Sequence, residues 1–396
     1  MDARSDGSWS GIAAAIAAIS AVGVAIGLGL PLLSIVLEQR GYSATLIGAN
    51  TAAAGIASMI AAPAAAPLAG RLGVARLMIV MFVIAGLSFA GFYFLTSFWA
   101  WLVLRMSLHG ALTLLFVLSE YWINAAAPPG RRGLVLGIYA TVLALGFALG
   151  PLLFAQLGTA GFLPFGVGMG VILIAALPVV AALGQSPEFE EEEGGGASFL
   201  PFLFAVPTAT AAVFVFGIVE TGGGAFFPIY GMAVGYSPSD AALLLTMVGL
   251  GSVFLQIPLG FISDRVRDRR HLLVACALVG LAGALLLPLV ETSWPLVAAL
   301  LFVWGGVVAG LYTVGLAHLG SNLSGRELAS ANSAFVFCYA LGMLVGPQAI
   351  GVGMDRIGPD GFPLTLGLFF ALYALLAFFR PISGRKTARG GSASTG

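Results

Sequence analysis

Residues 258 to 274 read PLGFISDRVRDRRHLLV, an apolar run that gives way to Asp264, Arg265, Arg267, Asp268, Arg269 and Arg270 and then turns apolar again. Arginines packed so densely between apolar flanks mark a short loop joining two membrane-crossing helices, because short cytoplasmic loops collect basic residues. The rest of the chain has the same texture. Of 396 residues, 59% are hydrophobic and only 9% charged, far more apolar than an average soluble domain. Crossing roughly 30 Å of hydrocarbon takes about 20 apolar residues, and stretches of that length recur throughout with brief Gly, Pro or charged interruptions. They predict spans at 11–37, 44–68, 74–96, 98–124, 133–157, 161–184, 199–231, 238–262, 270–290, 294–319, 326–351 and 361–380. The fold class expected is an all-α membrane protein with twelve transmembrane helices.

The first span follows a short tail, MDARSDGSWS, and is too long for a signal-peptide core, so it reads as a retained helix. With the N-terminus inside, Arg4, Arg71, Arg76, Arg131, Arg132, the 265–270 arginines, Arg326, Arg380, Arg385, Lys386 and Arg389 all fall inside. Only Arg40 and Arg356 fall outside, and Arg105 lies within the membrane. Both termini are therefore expected in the cytoplasm, and the location is a bacterial inner membrane. The net charge of zero hides this asymmetry and gives no sign of a nucleic-acid partner. Cys276 and Cys338 sit in apolar spans as small hydrophobes. No HExxH, Walker A, GxSxG or CxxC pattern occurs, which argues against a hydrolase, kinase or redox enzyme. No cofactor or metal is expected.

Between the sixth and seventh spans, GQSPEFEEEEGGGAS at 184–198 is acidic, glycine-rich and without apolar periodicity, as a flexible tether would be. It divides the chain into an N-terminal half at 1–184, a cytoplasmic linker at 185–198, a C-terminal half at 199–380 and a disordered cytoplasmic tail at 381–396. The halves repeat one another. GYS at 41–43 recurs at 235–237, and at the same offset Gly55 matches Gly249, Ser58 matches Ser252, Arg71 matches Arg265 and Arg132 matches Arg326. LGFALGP at 145–151 is answered by LGMLVGP at 341–347.

Two parallel six-helix repeats with both ends inside resemble the major facilitator superfamily across essentially the whole chain. The 258–274 loop is similar to the family's signature between the second and third helix of a half, with Gly260, Asp264, Arg265, Arg269 and Arg270 at its glycine, Asp-Arg and basic positions. The N-half copy, PLAGRLGVARLMI at 67–79, departs from it, since Gly70 stands where the family has aspartate. SEYWINAAAPPGRRGLVLGIYATVLALGFALGP, with a glutamate and then FFPIYG in the seventh helix, resembles the YcaD-like branch. The resemblance implies a cytoplasmic gate in which Asp264 faces the N-terminus of helix 5 near Arg132 and Gly133, where a carboxylate meets free amides and the positive end of the helix dipole. The alternative is a plain basic loop. Gly137, Gly146 and Gly150-Pro151 on helix 5 resemble an antiporter signature, although Phe154 and Ala155 replace its closing glycines. Helix 11 carries Gly342 and Gly346-Pro347, so hinge and close packing explain the same pattern.

Helix 4 brings a polar stripe. At about 100° per residue, Arg105, His109, Thr113 and Glu120 share one face. At 1.5 Å per residue, Arg105 lies roughly 10 Å from the outer end, His109 near the middle and Glu120 near the cytoplasmic boundary. Ionisable groups near mid-bilayer face a bundle interior or a water-filled cavity, and the resemblance places helices 1, 4, 7 and 10 around such a cavity. Arg105 is expected to hold an anionic or polar substrate group or to pair with Glu220, the alternative being a snorkelling structural arginine. His109 serves as an auxiliary or as a packing residue, and Glu120 pairs with Arg71 or Arg76 in a closed state. Glu220, near the midplane of helix 7 and followed by Thr221 and three glycines, is the expected proton-coupling group, the alternative being a neutral glutamic acid bonded to the backbone of a neighbouring helix. A carboxyl that alternates between apolar surroundings and a basic neighbour loads and unloads a proton. Asn50, Thr51, Tyr139, Tyr230, Gln256, Trp304, Tyr312, Asn332 and Tyr339 are further candidates for cavity contacts, most of them expected to serve as packing residues or interfacial anchors. His318 is expected to be solvated.

Together these observations predict a monomeric secondary transporter working by alternating access, whose partners are a small-molecule substrate, a proton and the lipid bilayer. Proton-coupled efflux of a small amphipathic molecule is preferred, with proton-coupled uptake of a metabolite as alternative. A receptor or assembly factor that kept the fold is the reading from another class.

Overall fold

The structure, a computed structural model, describes residues 9–187, 200–323 and 325–379. The expected tail, and the linker beyond Pro187, lie outside the described residues. Twelve helices among the described residues are long and apolar enough to span a membrane: α1 Trp9–Gln39, α2 Ala44–Leu72, α3 Val74–Phe94, α4 Phe98–Ala126, α5 Arg132–Leu157, α6 Leu163–Ala181, α7 Pro207–Ala233, α8 Pro238–Arg265, α9 Arg269–Val290, α10 Trp294–Gly320, α11 Ser330–Ile357 and α12 Gly361–Phe379. Both described chain ends therefore lie on one side, called here the near side.

Local chemistry sets the boundaries. The two GYS tripeptides build the same device twice. Gly41 and Gly235 take positive φ (81° and 103°), a conformation costly to a residue with a Cβ. Ser43 and Ser237 then cap α2 and α8, accepting from the amides of Leu46 and Asp240. The seventh span does not start at 199 as expected. A separate short helix, Leu200–Ala205, is broken at Val206 because Pro207 opens α7 and its ring disfavours helical geometry in the residue before it. At the other extreme α11 continues to Ile357, six residues past the expected stop, and so carries Asp355 and Arg356 on its last turn.

Packing sorts the helices by their surfaces. α1 and α7 are covered on nearly all sides, whereas α3, α6, α9 and α12 turn Leu87, Leu177, Leu289 and Leu372 outward, as helices facing lipid do. Small residues let backbones meet. A Cβ on Gly146 would stand 2.8 Å from the Gly23 Cα of α1, and one on Gly150 closer still to the Gly27 carbonyl carbon. In the other half, Gly342 and Gly346 press in the same way against Phe214, Gly217 and Ile218 of α7. Pro151 and Pro347 lie inside α5 and α11 respectively. The glycine pattern thus holds α5 on α1 and α11 on α7. Because the obstructing atoms at Gly150 are backbone, Gly150→Ala is expected to cost at least about 1–3 kcal/mol of stability. A lowered unfolding midpoint of the purified variant checks this.

The first six helices meet the last six chiefly where α2 packs on α11 and α5 on α8, with a smaller contact between α1 and the Gly224–Ala233 part of α7. Gly48, Gly55 and Gly351 bring α2 and α11 into backbone contact, and Gly249 does so for α8 against Ala148.

Candidate functional site

A central cavity of about 1240 Å³ lies between the two sets of six helices. It reaches from His109, Thr113 and Glu220 at mid-depth to Glu120, Asn124 and Gly133 at the near side. The far side is shut. There the Asp355 carboxylate accepts from the amides of Ala44 (3.0 Å) and Thr45 (2.8 Å), so that the last turn of α11 caps the first turn of α2. Together with Ser43 it satisfies three successive amides of that helix start. Sequence reading passed over Asp355 because the predicted span ended before it.

Glu220 is carried by a local irregularity. Residues Ile218–Gly223 form a π-helical turn between two α-helical segments of α7. Such a turn inserts one residue per loop of backbone and is common at functional positions. Gly217, Gly222, Gly342 and Gly346 let α11 lie directly against it. The Glu220 carboxylate accepts a hydrogen bond from the Tyr339 hydroxyl of α11. Tyr339 and Tyr312 in turn pack against Phe216 and each other as an aromatic wall.

Most expected cavity residues do line it. His109 is almost fully buried, its Nδ1 3.3 Å from the Arg105 carbonyl. Thr113 and Ser58 share a hydrogen bond of 2.9 Å. Tyr139 meets Ser119 at 2.9 Å, Gln256 donates to Ser252 at 3.5 Å, and Trp304 donates to the Gly280 carbonyl at 3.0 Å. Ser58 and Ser252, marked in the sequence only as repeat matches, both line the wall. Asn124 and Phe216 line it too and were not foreseen, since neither interrupts its helix with a charge.

Others are placed elsewhere. Arg105 is wholly buried and outside the cavity lining; it donates from Nε to Asn50 Oδ1 at 3.1 Å and makes no ion pair with Glu220. Its Nε is taken up by Asn50 of α2, away from the lining. Asn50 and Thr51 are buried with it and likewise do not line the cavity. Tyr230 is buried and donates to the Glu291 carboxylate, and Asn332 is exposed away from the cavity. Helical depth alone does not separate such faces. His318 is half-buried and has an interaction of its own.

At the near side the expected gate contacts are not made. Asp264 is exposed and pairs with Arg269 at 3.6 Å, while Arg269 Nε donates to Ser263 at 3.1 Å. Arg265 lies over the Phe261 ring. Arg132 donates to Asn124 at 2.9 Å. Glu120 borders the cavity mouth with no ion pair to Arg71 or Arg76, because the mouth is open. Arg270 is structural: it donates to the Ala377 and Phe378 carbonyls and so caps the end of α12.

The major facilitator superfamily model matches residues 13–237 and 209–394. The uncharacterized MFS-type transporter YfkF of Bacillus subtilis (strain 168) is 29% identical over 84% of this chain and 86% of its own length. The uncharacterized MFS-type transporter YcaD of Escherichia coli O139:H28 is 22% identical over 77% of this chain and 79% of its own. In fold, the chain resembles a crystal structure of a mutant of the nucleoside transporter NupG, with a TM-score of 0.77, 14% identity, and coverage of 93% of this chain and 98% of that one. It also resembles a bacterial homolog of the human lysosomal transporter Spinster in an inward-facing and occupied conformation, with a TM-score of 0.74, 14% identity, and coverage of 93% and 95%. The twelve spans, the cavity between two sets of six helices and the matched family model make this chain a multi-pass membrane protein of the major facilitator superfamily, a transporter and not an enzyme.

Proposed function

We propose that this transporter uses a proton gradient, loaded at Glu220, to export a small amphipathic organic molecule from the cytoplasm across a bacterial inner membrane as a monomer. The observation that carries the coupling is the placement of Glu220. Its carboxyl sits in the cavity wall on a π-helical turn, bonded to Tyr339 of a neighbouring helix. A change in how α11 lies against that turn changes the surroundings of the carboxyl, and so its hold on a proton. Leu30, Phe116, Phe216, Phe227 and Trp304 give the cavity its mainly apolar wall, with Gln256, Tyr312 and His109 as sparse polar contacts, the composition of a site for a partly apolar ligand. Export is the direction that the helix-5 glycine pattern supports. Placing the near side in the cytoplasm follows from its arginines, Arg71, Arg76, Arg131, Arg132 and Arg265.

Alternation then closes the near side. The start of α5 has no side-chain cap, Arg131 providing none, and Asp264 stands at the last turn of α8, the helix paired with it. In the outward-open state Asp264 leaves Arg269 and caps α5. Asp264→Asn is expected to raise labelling of a cysteine placed in the cavity by a reagent added from the near side. Stability of the present state changes by less than about 1 kcal/mol, since the exposed pair with Arg269 is worth little. Unchanged labelling refutes the gate. The whole reading is tested in proteoliposomes, where an imposed pH gradient drives flux of a cargo found by thermal-shift screening and collapsing the gradient stops it.

A further inference from the structure

We infer that the transporter holds a small monovalent anion, of halide or carboxylate chemistry, in a polar nest inside the first six helices, separate from the central cavity. Its centre is Arg105. The guanidinium is fully buried and spends one donor, Nε, on Asn50; neither of its two terminal nitrogens has a hydrogen-bond partner among the described residues. The Nδ2 of Asn50, the Thr51 hydroxyl and the Ser34 hydroxyl are also buried and unpartnered. All four residues belong to one layer. Counted at 1.5 Å per residue from the far ends of α1, α2 and α4, they lie about 8 to 11 Å deep.

Donors dominate this layer. Among the described residues Arg105 makes no ion pair, and a lone cation this deep in a bilayer costs several kcal/mol unless something answers its charge. Two free guanidinium nitrogens and the Asn50 amide, held together by the Arg105–Asn50 bond, form a cluster of donors suited to one negative charge, and the Thr51 and Ser34 hydroxyls lie at the same depth. The nearest rival is Glu38, one turn further out on α1, whose Oε2 is likewise buried and unpartnered. It forms no salt bridge with Arg105 in this state. The nest is made by helices of one half, with its residues off the cavity lining, so an anion there rides with that half when the halves move.

Unfolding of the purified protein in detergent, at fixed ionic strength, tests the site. Sodium chloride, sodium formate and sodium gluconate are compared. Chloride or formate is expected to raise the midpoint saturably by about 2–4 °C over gluconate, whose anion is too large. Asn50→Ala is expected to raise the half-saturating concentration about tenfold, the loss of one bond to a charge, and Arg105→Gln to abolish the response. Chloride acting identifies a halide-type site; formate acting without chloride identifies a site for a small free carboxylate. A midpoint indifferent to the anion overturns the proposal, as neutralisation by Glu38 would produce. So does a response that persists undiminished in Asn50→Ala, a result that stands even if Arg105→Gln does not fold.

Discussion

Glu220→Gln is expected to abolish concentration of the cargo against a gradient while sparing exchange of cargo across the membrane. If one proton moves per cargo molecule, each pH unit stores about 1.4 kcal/mol. A gradient of two units then supports roughly a hundredfold concentration ratio, and the variant reaches a ratio near one. Glutamine keeps the size of the side chain and an oxygen that accepts the Tyr339 hydroxyl, so the aromatic wall and the packing of α11 on the π-helical turn survive. What it removes is the exchangeable proton. Tyr339→Phe makes the complementary control: the carboxyl stays, the ratio stays high, and only the rate falls. Accumulation by Glu220→Gln equal to wild type shows that another group couples transport. His109, also in the cavity wall, is then the next to be replaced.

The parts of this architecture written in short-range chemistry were legible in the sequence. Twelve spans follow from hydrophobic run lengths, and the GYS repeat forecast two equivalent helix starts, which Ser43 and Ser237 cap alike. The paired serines Ser58 and Ser252 came out of the same repeat and meet the cavity from both halves. Helical periodicity correctly grouped His109, Thr113 and Glu120, which all line the cavity. It failed for Arg105, because a face on a helix does not say which neighbour covers it. α1 and α2 cover that end, and Asn50 takes the Nε donor. The π-helical turn was not legible either. The extra residue in the turn depends on α11 pressing its own glycines against the backbone there. Tyr230 shows the same limit from the other direction. Its aromatic ring in α7 looked like a cavity contact, yet its hydroxyl belongs to Glu291, 61 residues away in sequence.

Asp355→Ala is expected to shift the protein away from the state seen here. In the two main helix pairs that join the halves, an aspartate on the last turn of one helix belongs to the same pair as the start of the other. At the far side the arrangement is engaged, Asp355 accepting from Ala44 and Thr45; at the near side Asp264 is turned to Arg269 instead. Removing a cap costs about 0.5–2 kcal/mol, and here the cost falls only on the state in which the far side is shut, because the cap crosses between halves. The population ratio of the two states therefore moves about 2- to 30-fold toward the form open at the far side. Asp355→Asn keeps one acceptor and loses the charge that answers the helix dipole, so its shift is smaller and in the same direction. Spin labels at Gln39 and Asp360, exposed on opposite halves at that end, read the change as growth of a longer-distance population. If the distance distribution of Asp355→Ala matches wild type, the close backbone contacts at Gly48 and Gly351 hold that side shut by themselves and the carboxylate is not the latch.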